Sequence, residues 1–149
     1  MDLLRSGTGL DDIEATLIDG IVERVRERLP PHEATQCQAF VRQCYRWVPA
    51  EDLASRSSLD LYGAALGLWK FAQLRASGVT KTRLYNPRFE QHGWQSTHTV
   101  VEIVTDDMPF LVDSVTMELR RQGVGIHLMI HPVLRLRRDD EGQLVEVLA

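Results

Sequence analysis

HTVVEIVTDDMPFLVDSVTMELRRQGVGIHLMIHPVLRLR, residues 98–137, sets the fold class. Its opening, His98 to Thr105, mixes β-branched side chains with alternation and predicts a strand with Val101 and Ile103 on one side and Glu102 on the other. In the acidic turn that follows, Asp106 or Asp107 is the expected helix cap, and Pro109 suits the first helical turn, where a missing amide costs little. Leu111, Val112, Val115 and Leu119 then recur at helical spacing and form a face for the sheet, with Arg120 and Arg121 near the C-terminal end, where positive charge is favoured. Gly123 ends this helix. From Ile126 to Arg137 the period becomes two: Ile126, Leu128, Ile130, Leu134 and Leu136 point one way, and His127, Met129, His131, Val133, Arg135 and Arg137 the other. The first set should meet the helix; the second lies on the face that a small α+β domain leaves open or uses to meet another domain. RRDDEGQ reads as a hairpin turn and LVEVL as the start of a third strand.

Upstream the period is helical. Ile13, Leu17, Ile21 and Val25, with Ile18, Val22 and Leu29 on an adjoining row, predict a helix after a frayed lead of residues 1–10, capped by Asp11 or Asp12 and ended by Pro30 and Pro31. A second helix is predicted from about Glu33 to Trp47, with Cys37, Phe40, Val41, Cys44 and Tyr45 facing inward. Ser57 and Asp60 have capping-box spacing ahead of a third helix, Leu59 to Leu74, whose Gly63, Ala64, Ala65 and Gly67 let another helix approach closely. Trp47, Tyr62 and Trp69 are expected to pack between helices. After Gly78 the pattern turns extended: Thr80 to Tyr85 predicts a short strand able to pair with the one beginning at His98. The domain reading is therefore a helical subdomain over 1–77, a strand and linker over 78–97, and an incomplete α/β module over 98–149. A strand, helix, strand, strand order needs a further helix and edge strand, so the expectation is a part excised from a longer protein whose remainder covers the apolar rows.

At 149 residues the chain can build one domain with a real core or two small units that lean on each other. The formal net charge is −4 and the charges are mixed, which disfavours a nucleic-acid footprint or a polybasic membrane patch. No apolar run approaches a membrane span, and MDLLRSGTGLDD lacks the basic start and apolar stretch of a secretory signal. The two cysteines, Cys37 and Cys44, sit on one helix face about two turns apart, too far to bridge. A cytoplasmic, reducing location is expected.

Candidate chemistry is sparse. His127 and His131, four apart on a strand, lie roughly 13 Å from each other, too far to share a zinc ion. Asp106, Asp107 and Asp113 resemble a carboxylate set, yet capping accounts for the first two, and no nucleophile and base converge with them. The glycines of QGVGIH end a helix and lack the following helix that a phosphate loop requires. Arg135, Arg137 and Arg138 are followed by Asp139, Asp140 and Glu141, as in an ordinary charged turn. No catalytic, cofactor or metal residue is assigned.

Residues 100–139, VVEIVTDDMPFLVDSVTMELRRQGVGIHLMIHPVLRLRRD, together with PAEDLASRSSLDLYGAALGLWKFA and TRLYNPRFEQHGW, resemble the amino-terminal region of the large bacterial NAD-specific glutamate dehydrogenases. The resemblance implies a truncated ACT-like module, ferredoxin-like with full order βαββαβ, following the helical subdomain. It implies a parent enzyme that converts L-glutamate, water and NAD to 2-oxoglutarate, ammonia and NADH, with its catalytic lysine and NAD site outside this chain, which should itself be inactive and bind no cofactor. In amino-acid-binding ACT domains the turn after the first strand resembles Asp-Arg-Pro-Gly-Leu; Asp107, Met108, Pro109, Phe110 and Leu111 stand in the matching places, with Phe110 where the glycine would be. Two roles are implied. One is a structural and oligomerisation region in which Phe110, His127, Met129, His131 and Val133 meet the remainder of the parent chain or other subunits. The alternative is an amino-acid-binding regulatory module, with Asp106, Asp107, Met108 and Phe110 as the effector site. Neither nucleic acid nor membrane is an expected partner.

Overall fold

The computed structural model describes residues 5–149, with side chains from residue 12 onward; residues 1–4 of the expected lead lie outside the described residues. The elements, in order, are α1 (Arg5–Arg28), α2 (Pro31–Tyr45), α3 (Ala50–Ala54), α4 (Ser58–Phe71), β1 (Lys81–Tyr85), α5 (Phe89–His92), β2 (Val100–Val104), α6 (Leu111–Arg121), β3 (Leu136–Arg138) and β4 (Leu144–Val147). A helical amino-terminal region thus precedes a small mixed region with two short antiparallel sheets, β1–β2 and β3–β4. Helix α1 already runs at Asp11 and Asp12, so neither caps it. Once Ile18, Ile21, Val22 and Val25 are buried, each further residue toward the N-terminus adds one bond to an existing helix, and the nucleation cost does not recur.

The core lies between α1, α2 and α4. Cys37, Phe40, Val41, Cys44 and Tyr45 all face inward from α2, as their spacing predicts. Trp69 of α4 is buried edge-on against Phe40, with ring centroids 5.2 Å apart, and its indole N–H donates to Glu33 at 3.2 Å. Tyr62 is also buried, but Trp47 stands 81% exposed beneath the Arg46 guanidinium, contrary to the expected helix packing. The reason is positional: α2 ends at Tyr45 and Pro49 begins a new turn, so residue 47 falls in a connection.

Ser57 caps α4 by accepting from the Asp60 amide at 3.1 Å. Asp60 does not complete a reciprocal box; its carboxylate accepts from the Gln95 amide at 3.3 Å. The small residues of α4 admit different neighbours from the helix expected. The indole of Trp94 lies against Gly63, and Arg83 and Tyr85 approach Gly67 at ordinary contact distances. Gly93 supplies the left-handed turn (φ 76°) that closes α5 immediately before Trp94.

β1 and β2 pair antiparallel with Arg83 opposite Glu102 and Leu84 opposite Val101. The inward face is the polar one. Glu102 is only 8% exposed, whereas Leu84, Val101 and Ile103 face outward and are exposed. The Arg83 Nε donates to Glu102 at 2.8 Å, and its guanidinium lies over the rings of Phe71 and Tyr85. Lys81 Nζ donates to the carbonyl of Phe71 at 2.7 Å, an acceptor at the C-terminus of α4, and to that of Leu74 just beyond it at 2.9 Å.

The β3–β4 hairpin forms where RRDDEGQ predicts a turn. Asp139 accepts from the amides of Glu141 and Gln143, both at 2.9 Å, and Gly142 has φ 88° with no room for a Cβ beside the Arg75 carbonyl. Leu144 and Val147 join the helical core. The other edge of β4 is held by the Gln73 carbonyl, which accepts from Leu144 N at 2.7 Å, and by two α2 side chains: Gln36 accepts from Val147 N at 2.7 Å and Gln43 donates to Leu148 O at 2.8 Å.

Two further expectations fail. The strand predicted over Ile126 to Arg137 is realised only as β3, because β2 pairs with β1 and β3 with β4, which leaves 125–134 irregular, with a bend at His127, and without a ladder. Helix α6 starts at Leu111, so Asp106 and Asp107 lie too far upstream to cap it and Pro109 falls outside its first turn; Phe110 occupies the cap position without a side-chain bond. Leu111, Val112, Val115 and Leu119 are only half-buried.

The two α4 glycines should respond oppositely to alanine. Gly63→Ala must displace Trp94 and is expected to destabilise by about 1–3 kcal/mol, while Gly67→Ala meets only ordinary contacts and should be neutral or stabilise by up to about 1 kcal/mol; urea denaturation of both variants measures the contrast.

The buried ion pair gives a second test. Burial raises the Glu102 pKa above its ordinary value, against the hydrogen bond and charge of Arg83, which lower it. A raised folded-state pKa means that this carboxyl favours the fold while protonated and that its contribution falls as pH rises through the carboxylate range. Arg83→Gln removes the lowering influences, so its stability loss should be about 2 kcal/mol at neutral pH and smaller at acid pH. Glu102→Gln should cost less at neutral pH, since no buried charge is stranded. Denaturant titrations at pH 5 and pH 8 separate these outcomes.

Candidate interface and effector surfaces

The expected effector residues lie in the connection between β2 and α6. Asp106 is held by Arg75, whose guanidinium donates to it at 2.6 Å and also donates to the Val79 carbonyl at 3.0 Å. Asp107 and Met108 are exposed. Phe110 is 77% exposed and adopts φ 63°, the one left-handed non-glycine residue among those described. The fold therefore brings these residues to one exposed turn, with one of the two carboxylates already occupied by an arginine.

Three of the expected interface residues share a cleft. His127, Met129 and His131, together with the intervening Leu128 and Ile130 and with Pro132, line a space of about 400 Å³, opposite Gln43, Cys44, Trp47, Val48, Pro49 and Asp52 of the helical region. Met129 also lies against α6, its sulfur accepting from the Thr116 hydroxyl at 3.9 Å. The His127 ring stacks on His98 at 4.0 Å, which tethers this run beside the start of β2. Val133, 60% exposed, and Phe110 are not among the residues that line the cleft. Sequence reasoning missed Trp47 as a surface residue. The signal was available in Arg46-Trp47-Val48-Pro49, where the proline ends the helical period and leaves the indole in a turn.

The chemistry available is limited. Burial pushes the Cys37 thiol up to about 12, helped by the Glu33 charge, and raises Cys44 to about 12 as well, so both remain protonated and poorly nucleophilic. Among the described residues, no group of three or more His, Cys, Asp or Glu is placed to hold a metal ion. The glycines of 123–125 do not form a phosphate-binding loop: Gly123 (φ 76°) closes α6 and the next element is β3, whereas such a loop must open a helix.

The class of protein the fold defines is a helical region joined to a small mixed α/β region with two short antiparallel sheets. A family model described as "Glutamate dehydrogenase, ACT1 domain" matches residues 40–149, and the chain belongs to that family. It is 44% identical over 137 residues to the NAD-specific glutamate dehydrogenase of Halomonas elongata, an alignment covering 92% of this chain and 8% of that protein. With the NAD-specific glutamate dehydrogenase of Pseudomonas aeruginosa it shares 42% identity over 113 residues, covering 76% and 7% respectively. The chain therefore spans less than a tenth of the length of these curated relatives. No solved structure matches it.

The left-handed residue supplies a direct test. Phe110→Gly removes backbone strain without losing a packed side chain and should raise stability by up to about 1 kcal/mol. Thermal melting of the variant beside Phe110→Ala, which keeps the strain, checks whether the gain belongs to glycine.

Proposed function

We propose that this chain is the amino-terminal structural and oligomerisation region of an NAD-specific glutamate dehydrogenase. In this reading the full-length enzyme works in the cytoplasm and converts L-glutamate, water and NAD to 2-oxoglutarate, ammonia and NADH, using lysine and nucleotide-binding elements outside this chain. The observation that carries the proposal is 44% identity along 92% of the chain to a relative of which it forms 8%. The exposed apolar residues of the mixed region, among them Phe110, Val133 and the outward side of β1–β2, are the surfaces the rest of the enzyme or its subunits cover. The order of α6, β3 and β4 after β2 supports an ACT-like half-module.

A structural role is favoured over amino-acid sensing by the engagement of Asp106 with Arg75 and by the bulky Phe110 at the left-handed position. Calorimetry of the full-length enzyme with a panel of amino acids distinguishes the two: saturable heat lost on Asp107→Ala would replace the structural reading with the effector reading.

Hydrogen exchange tests the covered surface. Amides 125–134 should exchange rapidly in the isolated chain and be protected at least about tenfold in the full-length enzyme. Equal exchange in both would overturn the interface reading. The isolated chain should produce no NADH from glutamate and NAD under conditions where the full-length enzyme does.

A further inference from the structure

Gln73, Leu74 and Arg75, which follow α4, collect positive charge. Carbonyls at the negative end of a helix attract cations, and here Arg138 Nη1 donates to Gln73 O at 3.2 Å and Lys81 Nζ to Leu74 O at 2.9 Å. The same three residues hold the β3–β4 hairpin: Arg75 N donates to Gly142 O at 3.0 Å, and Leu144 N donates to Gln73 O at 2.7 Å. Arg138 Nη1 also donates at 3.0 Å to the Gly142 carbonyl that receives Arg75 N, so the two arginines meet around one acceptor. Burial, with the Arg75 charge behind it, lowers the Arg138 pKa from its ordinary value. Asp139, adjacent to Arg138 in sequence, is turned instead to the amides of Glu141 and Gln143. The carboxylate that joins this group comes from the turn after β2: Asp106 meets Arg75 at 2.6 Å, where the arginine side chain is only 13% exposed.

We propose that Asp106 is the counter-charge that couples the acidic turn after β2 to the attachment of the β3–β4 hairpin, so that drawing Asp106 away from Arg75 loosens β4 from the helical region. In place, it fixes the Arg75 guanidinium between its own carboxylate and the Val79 carbonyl. Without it, Arg75, Arg138 and Lys81 gather on neighbouring carbonyls with no negative charge among them, and like charges in a partly buried setting repel strongly. The relief open to Arg138 is to withdraw from Gln73 and Gly142, whose carbonyls also receive the amides that hold the hairpin. Asp106 is thus a positioning residue that acts on the hairpin through Arg75. It is 65% exposed and stands in the same turn as Asp107 and Phe110, so a basic group of a neighbouring segment can compete for it. What binds at the turn is then registered at the hairpin, as a coupling between two separate surfaces.

Hydrogen exchange at the amides of Arg75 and Leu144, which cross between the end of α4 and the hairpin, reads this attachment directly. Asp106→Asn keeps the shape and an acceptor but removes the charge. In the 149-residue chain it should speed exchange at both amides about fivefold, while Phe40 and Val41, buried in α2, stay within about twofold of the parent. Asp106→Glu, which keeps the charge, should stay near the parent. The acceleration caused by Asp106→Asn should fall below about twofold when the same change is made in an Arg75→Gln or an Arg138→Gln chain, because the intermediary or the opposing charge is then gone. It should also shrink at high salt, which screens the repulsion. No acceleration at Arg75 and Leu144, an equal acceleration at Phe40 and Val41, or an undiminished acceleration in either arginine background would each overturn the coupling.

Discussion

The ion pair of Arg83 with Glu102 decides how the strands meet the helices, because the face that β1 and β2 turn toward α4 is polar. A carboxylate buried there without a partner would be costly, and its cross-strand neighbour supplies both charge and hydrogen bonds. Arg83 also lies over Phe71 and Tyr85, so a charged side chain provides apolar contact for its neighbours. Lys81 adds to the same arrangement by closing the carbonyl end of α4. One consequence is topological: with the polar face turned inward, Leu84, Val101 and Ile103 are left on the outside. The apolar surface of this sheet is thus available to something beyond the contacts it makes here.

The second attachment works by different physics. The β3–β4 hairpin contributes Leu144 and Val147 to the helical core, and backbone or side-chain amides from Gln73, Gln36 and Gln43 meet the open edge of β4. An exposed strand edge is a liability, and here helix side chains take the place of a neighbouring strand at its far end. The sequence segments YNP and HGW acquire a physical meaning in the same way. Asn86 accepts from the Thr99 hydroxyl at 2.6 Å across the β1–β2 connection, and Gly93 turns the chain so that Trp94 reaches the space left by Gly63.

What the residues disclosed on their own was the local part of this. Helical periods in α1, α2 and α4, the Ser57 cap, the β1–β2 pairing and the 139–143 turn all depend on neighbours within a few residues or on strong alternation, and these are legible in one chain. Glu102 shows where such reading stops. Alternation placed it opposite Val101 and Ile103, but which face goes inward depends on Arg83 and on α4, and the intuitive choice of the apolar side is the reverse of the structure. The acidic turn fails for a related reason: Asp106 and Asp107 look like caps until Arg75, distant in sequence, engages the first of them and the helix begins at Leu111. The run His127 to Pro132 lines the cleft with residues of both parities, so alternation did not select which of them face Trp47; that required the tertiary fold.

The run 125–134 separates strand propensity from strand formation. Alternating aliphatic residues describe a chain willing to be extended, but a ladder needs a second backbone at about 4.8 Å, and nothing in the alternation says whose. Within this chain β1 and β2 satisfy one another and β3 turns into β4, so the run between α6 and β3 is left outside both sheets. The His98–His127 stack places it beside β2 without the hydrogen bonds that would make it a third strand. Its side chains show the same half-satisfied state: Leu128 and Leu134 are half-buried, while Ile126 and Ile130, on the same side by period, remain exposed. A strand-like sequence whose apolar side is only partly covered by its own chain carries more uncovered apolar surface than the acidic turn, whose Asp106 is already engaged by Arg75.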